Sequence, residues 1–216
     1  MRKLSEESER QAPTVKGEAR RVRLLEVAAE EFLTTGYAQT SMKTIVSKAG
    51  GSAATAYQLF SNKEGLLAAV LQREFEGLEA QFFPESLLSK PPATALYAMA
   101  LRLLTYTTQP RSVDFYRLLV AEGHRVPGIS EYFRKIVSVQ VIDPLERYLR
   151  AACERGELRI DNPAHGARLL GNLLQGMSNE ARIVGGYPDG LPALDKQNCR
   201  YSVDAILGLW TVDPRP

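Results

Sequence analysis

Thr40–Lys63 reads TSMKTIVSKAGGSAATAYQLFSNK, and the fold follows from how this stretch divides. Met42, Ile45, Val46 and Ala49 fall at i, i+3, i+4 and i+7, the spacing of one apolar face on a short helix. Ser41 stands directly before them, where its hydroxyl can accept a free amide of the first turn. Thr44 replaces the Glu or Gln of a full capping box. Gly50-Gly51 then ends the helix, because glycine relaxes into the left-handed conformation that helix ends use. Ser52 is placed to cap a second helix, from Ala53 to about Phe60. Two short helices across a tight glycine turn are the mark of a helix-turn-helix.

The second helix carries small residues, Ala53, Ala54 and Ala56, which permit close approach to another surface. Thr55, Tyr57 and Gln58 add hydrogen-bonding groups near its start. In a helix-turn-helix these first residues enter the DNA major groove. Gln bonds adenine through two atoms, and an Ala or Thr methyl packs on the thymine methyl. Lys63 begins the next helix, where an ammonium and free amides meet phosphate. The same spacing also suits two packing helices of any all-α protein.

Leu24–Val70 as a whole resembles the DNA-binding domain of the TetR family of repressors. The likeness rests on Ala28, Phe32, Gly36, Tyr37, Thr40, Ile45, Ala49-Gly50, Ser52, Thr55, Tyr57, Phe60, Lys63-Glu64 and Leu66-Leu67. The chain departs from the family pattern at Val46-Ser47, Gly51, Ala54 and Ala56, the last thinning the packing beneath the second helix. The resemblance implies DNA contacts at Thr40, Lys43, Ala53, Ala54, Thr55, Tyr57, Gln58 and Lys63. Tyr57 and Lys63 would hold phosphates; positions 53 to 55 and Gln58 would face bases.

The 216 residues suffice for two small domains, and an apolar share of 44% suits a packed core. The net charge of +2 predicts nothing by itself, but residues 1–63 hold ten Lys/Arg against seven Glu. Arg20, Arg21 and Arg23 concentrate that excess before the first helix's apolar seam, a modest footprint of the kind phosphate neutralisation needs. Cys153 and Cys199 form no CxxC, and His124 and His165 show no zinc spacing with them, so neither disulfide framework, metal site nor cofactor is expected. The start MRKLSEESER has no apolar core of a signal peptide, and no apolar run reaches membrane length. A cytoplasmic protein with no membrane partner is expected.

Residues 1–16 read as a disordered arm, polar and broken by Pro13. The helix-turn-helix domain then occupies 17–62, with its first helix at about Gly17–Thr34. A fourth helix from near Asn62 carries Leu66, Leu67, Val70, Leu71, Phe75, Leu78 and Phe82, and would link this domain mechanically to the body at 63–216. Prolines divide the body into helical pieces at about 92–108, 112–123, 128–153, 163–186 and 194–210. VSVQVI at 137–142 alternates like a strand, but no other segment offers a strand to pair with, so a helix is preferred. The fold expected is all-α, a three-helix head followed by a larger helical body.

FYRLLVAEGHRVPGISEYF at 115–133 and GELRIDNPAHGARLLGNLLQG at 156–176 resemble the C-terminal half of the AefR-like TetR subgroup. That implies an effector-binding and dimerisation unit, with the homodimer interface on the last two long helices. The residues agree: Leu169, Leu170, Leu173, Leu174 and Met177 form one wide apolar face, and Tyr201, Ala205, Ile206, Leu209 and Trp210 another. Ligand-site candidates beneath the fourth helix are Leu104, Tyr106, Phe115, Tyr116, Leu119, His124, Asn172, Gln175 and Met177, which together suit a small hydrophobic effector. GxSxG, GxxxxGK, GxGxxG and HExxH are missing from the sequence, so no enzyme is indicated. The reading is a TetR-type regulator, a repressor that binds a palindromic DNA operator and is released by its effector. The alternative is a helical binding protein without sequence-specific DNA reading, which the departures at Gly51, Ala54 and Ala56 would accompany.

Overall fold

The computed structural model describes residues 15–176, 183–185 and 192–210. It is all-α, with no β-strand among the described residues. The chain forms two compact units, Met1–Val70 and Leu71–Pro216.

The first unit holds α1 (Val15–Thr34), α2 (Met42–Ala49), α3 (Ala53–Phe60) and the beginning of α4 (Lys63–Glu74). The expected seams become its core: Leu24, Leu25, Ala28 and Phe32 of α1 are buried with Ile45, Ala56, Phe60, Leu66 and Leu67. The Phe32 and Tyr37 rings lie 5.2 Å apart. Polar groups close the link between α1 and α2. Thr40 is buried, its hydroxyl 2.8 Å from the Gly36 carbonyl and 3.2 Å from that of Glu31. Lys48 Nζ pairs with the largely buried Glu31 carboxylate at 2.5 Å, tying α2 to α1.

The second unit contains α5 (Leu78–Phe82), α6 (Glu85–Leu88), α7 (Pro92–Thr107), α8 (Pro110–Glu122), α9 (Ile129–Val137), a π-helical turn (Ser138–Ile142), α10 (Asp143–Glu154), α11 (Pro163–Gly176) and α12 (Ala193–Trp210). α7 packs on α12 and α10 on α11, around a core that includes Leu96, Met99, Tyr148, Leu149, Leu170, Leu174, Val203 and Ile206. The Tyr148 hydroxyl donates to the Lys90 carbonyl at 3.0 Å, satisfying the polar end of this buried ring. Cys199 is buried, and desolvation pushes its thiol up to about 11, so it stays a neutral apolar filler at neutral pH.

Two of the expected helices are interrupted. The continuous helix through Phe82 breaks after Glu74, because Gly77 adopts φ 76° and starts α5 afresh. The piece at 128–153 contains the π turn, closed by the Asp143 amide bonding the Ser138 carbonyl. Pro144 explains the irregularity: proline lacks an N–H and crowds the carbonyl four residues earlier, so a plain α-helix cannot run through it unchanged. The alternation of VSVQVI thus marks a change of helix type. The expected face on α11 divides in two: Leu170 and Leu174 enter the core while Leu169 and Leu173 are exposed.

Candidate functional site

α2, Gly50-Gly51 and α3 form the helix-turn-helix. Both serines cap as the sequence suggests. Ser41 Oγ accepts from the Thr44 amide at 3.0 Å and Ser52 Oγ from the Thr55 amide at 3.1 Å. The turn uses positive φ at Gly50 (74°) and Gly51 (133°). Gly51 also makes room: a Cβ there would lie 2.4 Å from Arg20 Nη2, so the α1 guanidinium rests over the turn. At the far end of α3, Ser61 has φ 64° and the Asn62 amide bonds the Phe60 carbonyl at 2.7 Å, a tight and strained turn. Asn62 Oδ1 then caps α4 at the Gly65 amide, 2.7 Å away.

These devices hold one face of α3 open. Ala53, Ala54, Tyr57 and Gln58 are exposed, as is Lys43 on α2, while Thr55 is half-buried and Ala56 faces the core. Thr55 Oγ1 lies 2.8 Å from Ser52 Oγ. Two residues expected at DNA are engaged within the head. Thr40 is interior, its hydroxyl held by the carbonyls of Gly36 and Glu31. Lys63 Nζ donates to the carbonyls of Tyr37 (2.9 Å) and Thr40 (3.0 Å) and lies 4.2 Å from the Tyr37 ring centre. Two of its three protons serve the α1–α2 link, so it braces the head from a half-buried position.

The second unit encloses a cavity of about 600 Å³, within the range of small-molecule sites. Aromatic rings dominate it. Phe75 and Phe133 stand 5.7 Å apart, Tyr116 and Phe133 6.4 Å, Phe82 and Tyr106 5.3 Å. Polar groups also line it: Tyr106, Ser112, Arg134, Gln140, Arg168 and Asn172. Burial pushes the Tyr106 phenol up to about 12, so its hydroxyl stays a neutral donor. Gln140 Oε1 accepts the Glu79 amide at 3.0 Å, leaving its NH2 group as the free end. Gly171 admits the π turn closely, since a Cβ there would be 3.1 Å from Ile142 Cδ1.

Of the nine expected ligand residues, Tyr106, Tyr116, Leu119 and Asn172 line this cavity. Leu104 and Phe115 are buried outside its lining, spent on core packing, and His124 is exposed away from it. The Gln175 side chain and Met177 lie outside the described residues. Sequence reasoning missed Phe75, Phe133 and the π-turn residues. The signal available was Pro144 after an irregular apolar run, which marks a helix distortion of the kind that often accompanies a site.

A capped, exposed reading helix in one unit and an aromatic cavity in the other make a helix-turn-helix transcription regulator. Comparison with known proteins gives the family. Residues 24–70 match the model of bacterial regulatory proteins of the tetR family, and residues 94–210 that of the AefR-like transcriptional repressor C-terminal domain. The chain belongs to the TetR family of transcriptional regulators. It is 27% identical over 144 residues to the HTH-type transcriptional regulator SrpR of Pseudomonas putida, covering 67% of this chain and 66% of that protein. A TetR-family regulator from Mesorhizobium loti superposes with TM-score 0.81 at 21% identity, over 90% of this chain and 98% of that one. The flavonoid-responsive regulator FrrA gives 0.77 at 26% identity, over 92% and 100%.

Proposed function

We propose that the chain is a homodimeric repressor that binds a palindromic operator and leaves it when a small hydrophobic molecule fills the body cavity. The observation that carries the reading is the open face of α3, with Ala53, Ala54, Tyr57 and Gln58 exposed beside Lys43. Gln58 is suited to adenine and the alanine methyls to thymine. Tyr57, Lys43 and Arg20 contact phosphate, while Thr40 and Lys63 keep the head in shape. A DNA partner places the protein in the cytoplasm.

Leu169 and Leu173 on α11 and Tyr201 and Leu209 on α12 are 41–76% exposed. Large apolar residues grouped this way on two helices favour a two-fold contact with a second copy. A dimer sets two α3 helices about 34–36 Å apart, one turn of DNA. The ring-lined cavity favours a planar aromatic effector, as the flavonoid response of FrrA does. Release requires the effector to prefer one body conformation, and the coupling is reciprocal, so operator DNA weakens effector binding by the same factor.

Selection from a random duplex library at about 150 mM salt tests the reading, since non-specific affinity falls with salt. Enrichment of a palindrome is expected. Tyr57→Phe should then lower affinity roughly uniformly across sequences, and Gln58→Ala should relax preference at one base pair by about 1–3 kcal/mol. No enrichment from folded, dimeric protein overturns it.

A further inference from the structure

Among the described residues, those lining the body cavity include two arginines, Arg134 of α9 and Arg168 of α11, and no aspartate or glutamate. Both arginines are exposed as residues, so their side chains stand where the cavity meets solvent. Neither guanidinium has an ion-pair or hydrogen-bond partner among the described residues. Nearby acids are engaged elsewhere. Glu74 receives the Arg111 guanidinium at 3.0 and 3.1 Å, Glu79 pairs with Arg147, and Asp143 Oδ1 accepts the Ser138 hydroxyl at 3.2 Å. The cavity is therefore an apolar, ring-lined space whose rim, among the described residues, carries positive charge without a compensating acid.

A cavity meant only for neutral hydrophobes gains nothing from two unpaired guanidinium groups, since each would shed part of its hydration when a neutral molecule covers it. A planar anion offsets that cost, because the guanidinium fork matches carboxylate and sulfonate oxygens in two parallel hydrogen bonds. The Tyr106 hydroxyl, neutral through burial, gives its proton to the Glu74 carbonyl at 3.4 Å, while the Gln140 NH2 group adds a donor and no negative charge. We infer that the effector is an aromatic organic anion, its rings among Phe75, Tyr116 and Phe133 and its acidic group against Arg134 and Arg168. This rests on the cavity being the effector site.

The test uses two fluorescent probes that differ by one sulfonate: 1-anilinonaphthalene-8-sulfonate and its neutral parent, N-phenyl-1-naphthylamine. Both are titrated into the full-length protein, into Arg134→Gln and Arg168→Gln, and into Val113→Trp, which fills the cavity. Mutual displacement of the probes checks the site independently, should the tryptophan variant not fold. The sulfonate should bind about tenfold tighter than the neutral probe, as one or two charge-assisted hydrogen bonds allow. Either glutamine variant should lose most of that preference and leave the neutral probe unchanged. High salt should narrow the gap, because these charges are solvent-facing. Equal affinities, or glutamine variants that bind the sulfonate as well as the parent protein does, overturn the anionic effector while the neutral probe still vouches for the cavity. If neither probe is bound, or both ignore Val113→Trp in folded protein and do not displace one another, the cavity reading falls as well.

Discussion

Gly65 in the head and Gly171 in the body both stand where helices come close, but a methyl group added to each would meet different things. At Gly65 it would lie 2.1 Å from the Phe60 carbonyl oxygen, which is backbone; at Gly171 it would lie 3.1 Å from the tip of Ile142. The head is shaped by main-chain corners that cannot yield: the Ser61 turn, the Asn62 cap on Gly65 and the Lys63 bonds to Tyr37 and Thr40. The body is shaped by side chains around a void, and side chains can move. A surface that must match a fixed groove spacing gains from the first construction. A cavity that must change its occupant's grip between two states gains from the second.

The sharpest way to break the contrast is to make the same change at both glycines. Gly65→Ala should cost on the order of 3–4 kcal/mol, since neither the carbonyl nor the cap can shift without opening the α3–α4 corner. Gly171→Ala should stay within about 1 kcal/mol, its crowding offset by the better helix propensity of alanine. Trp210 is the only tryptophan and belongs to the body core, so its fluorescence follows the body while circular dichroism follows both units. Gly65→Ala should show helix loss at low urea with Trp210 unmoved. A single shared transition would show instead that the two units unfold as one.

Lys63 probes the head's main-chain corners directly. Lys63→Met keeps the stem and removes two hydrogen bonds and a cation–π contact, and should lower head stability by about 1–2 kcal/mol. Its effect on DNA separates bracing from phosphate binding. Where the head remains folded, the slope of log affinity against log salt should equal that of the parent protein. A slope smaller by about one would show that the ammonium neutralises a phosphate after all.

The head was largely legible in the sequence, and the body's cavity only in part, for the same physical reason. Ser41, Ser52 and the Gly50-Gly51 turn act over three or four residues, so their neighbours in sequence are their partners in space. The inward turn of Thr40 and Lys63 was not legible, because their partners are carbonyls, which carry no residue identity. In the body, helical periodicity shows that Phe115 and Tyr116 face inward or nearly so, but not that one meets packed side chains and the other a void. Arg134 and Arg168 are 34 residues apart and look like ordinary surface charges until α9 and α11 bring them to one rim. The π turn hid Gln140 and Val141, since i→i+5 bonding shifts the faces that a 3.6-residue period would assign.

Ser52 gives the smallest and most local test. α3 has eight residues, barely two turns, and a helix that short depends on its cap because few internal bonds repay the cost of starting it. Ser52→Ala removes the acceptor for the Thr55 amide and should cost about 1 kcal/mol, measured by urea unfolding. Ser52→Asp should restore it, since aspartate caps equally well. On the operator the two variants should part company. Alanine should weaken binding only as far as it frays the start of α3, where Ala53 and Ala54 stand. Aspartate keeps that start ordered but sets a carboxylate beside the exposed reading face, where phosphate would repel it. Stability restored with affinity still low would place Ser52 at the edge of the DNA contact; affinity restored along with stability would place the contact further along α3, around Tyr57 and Gln58.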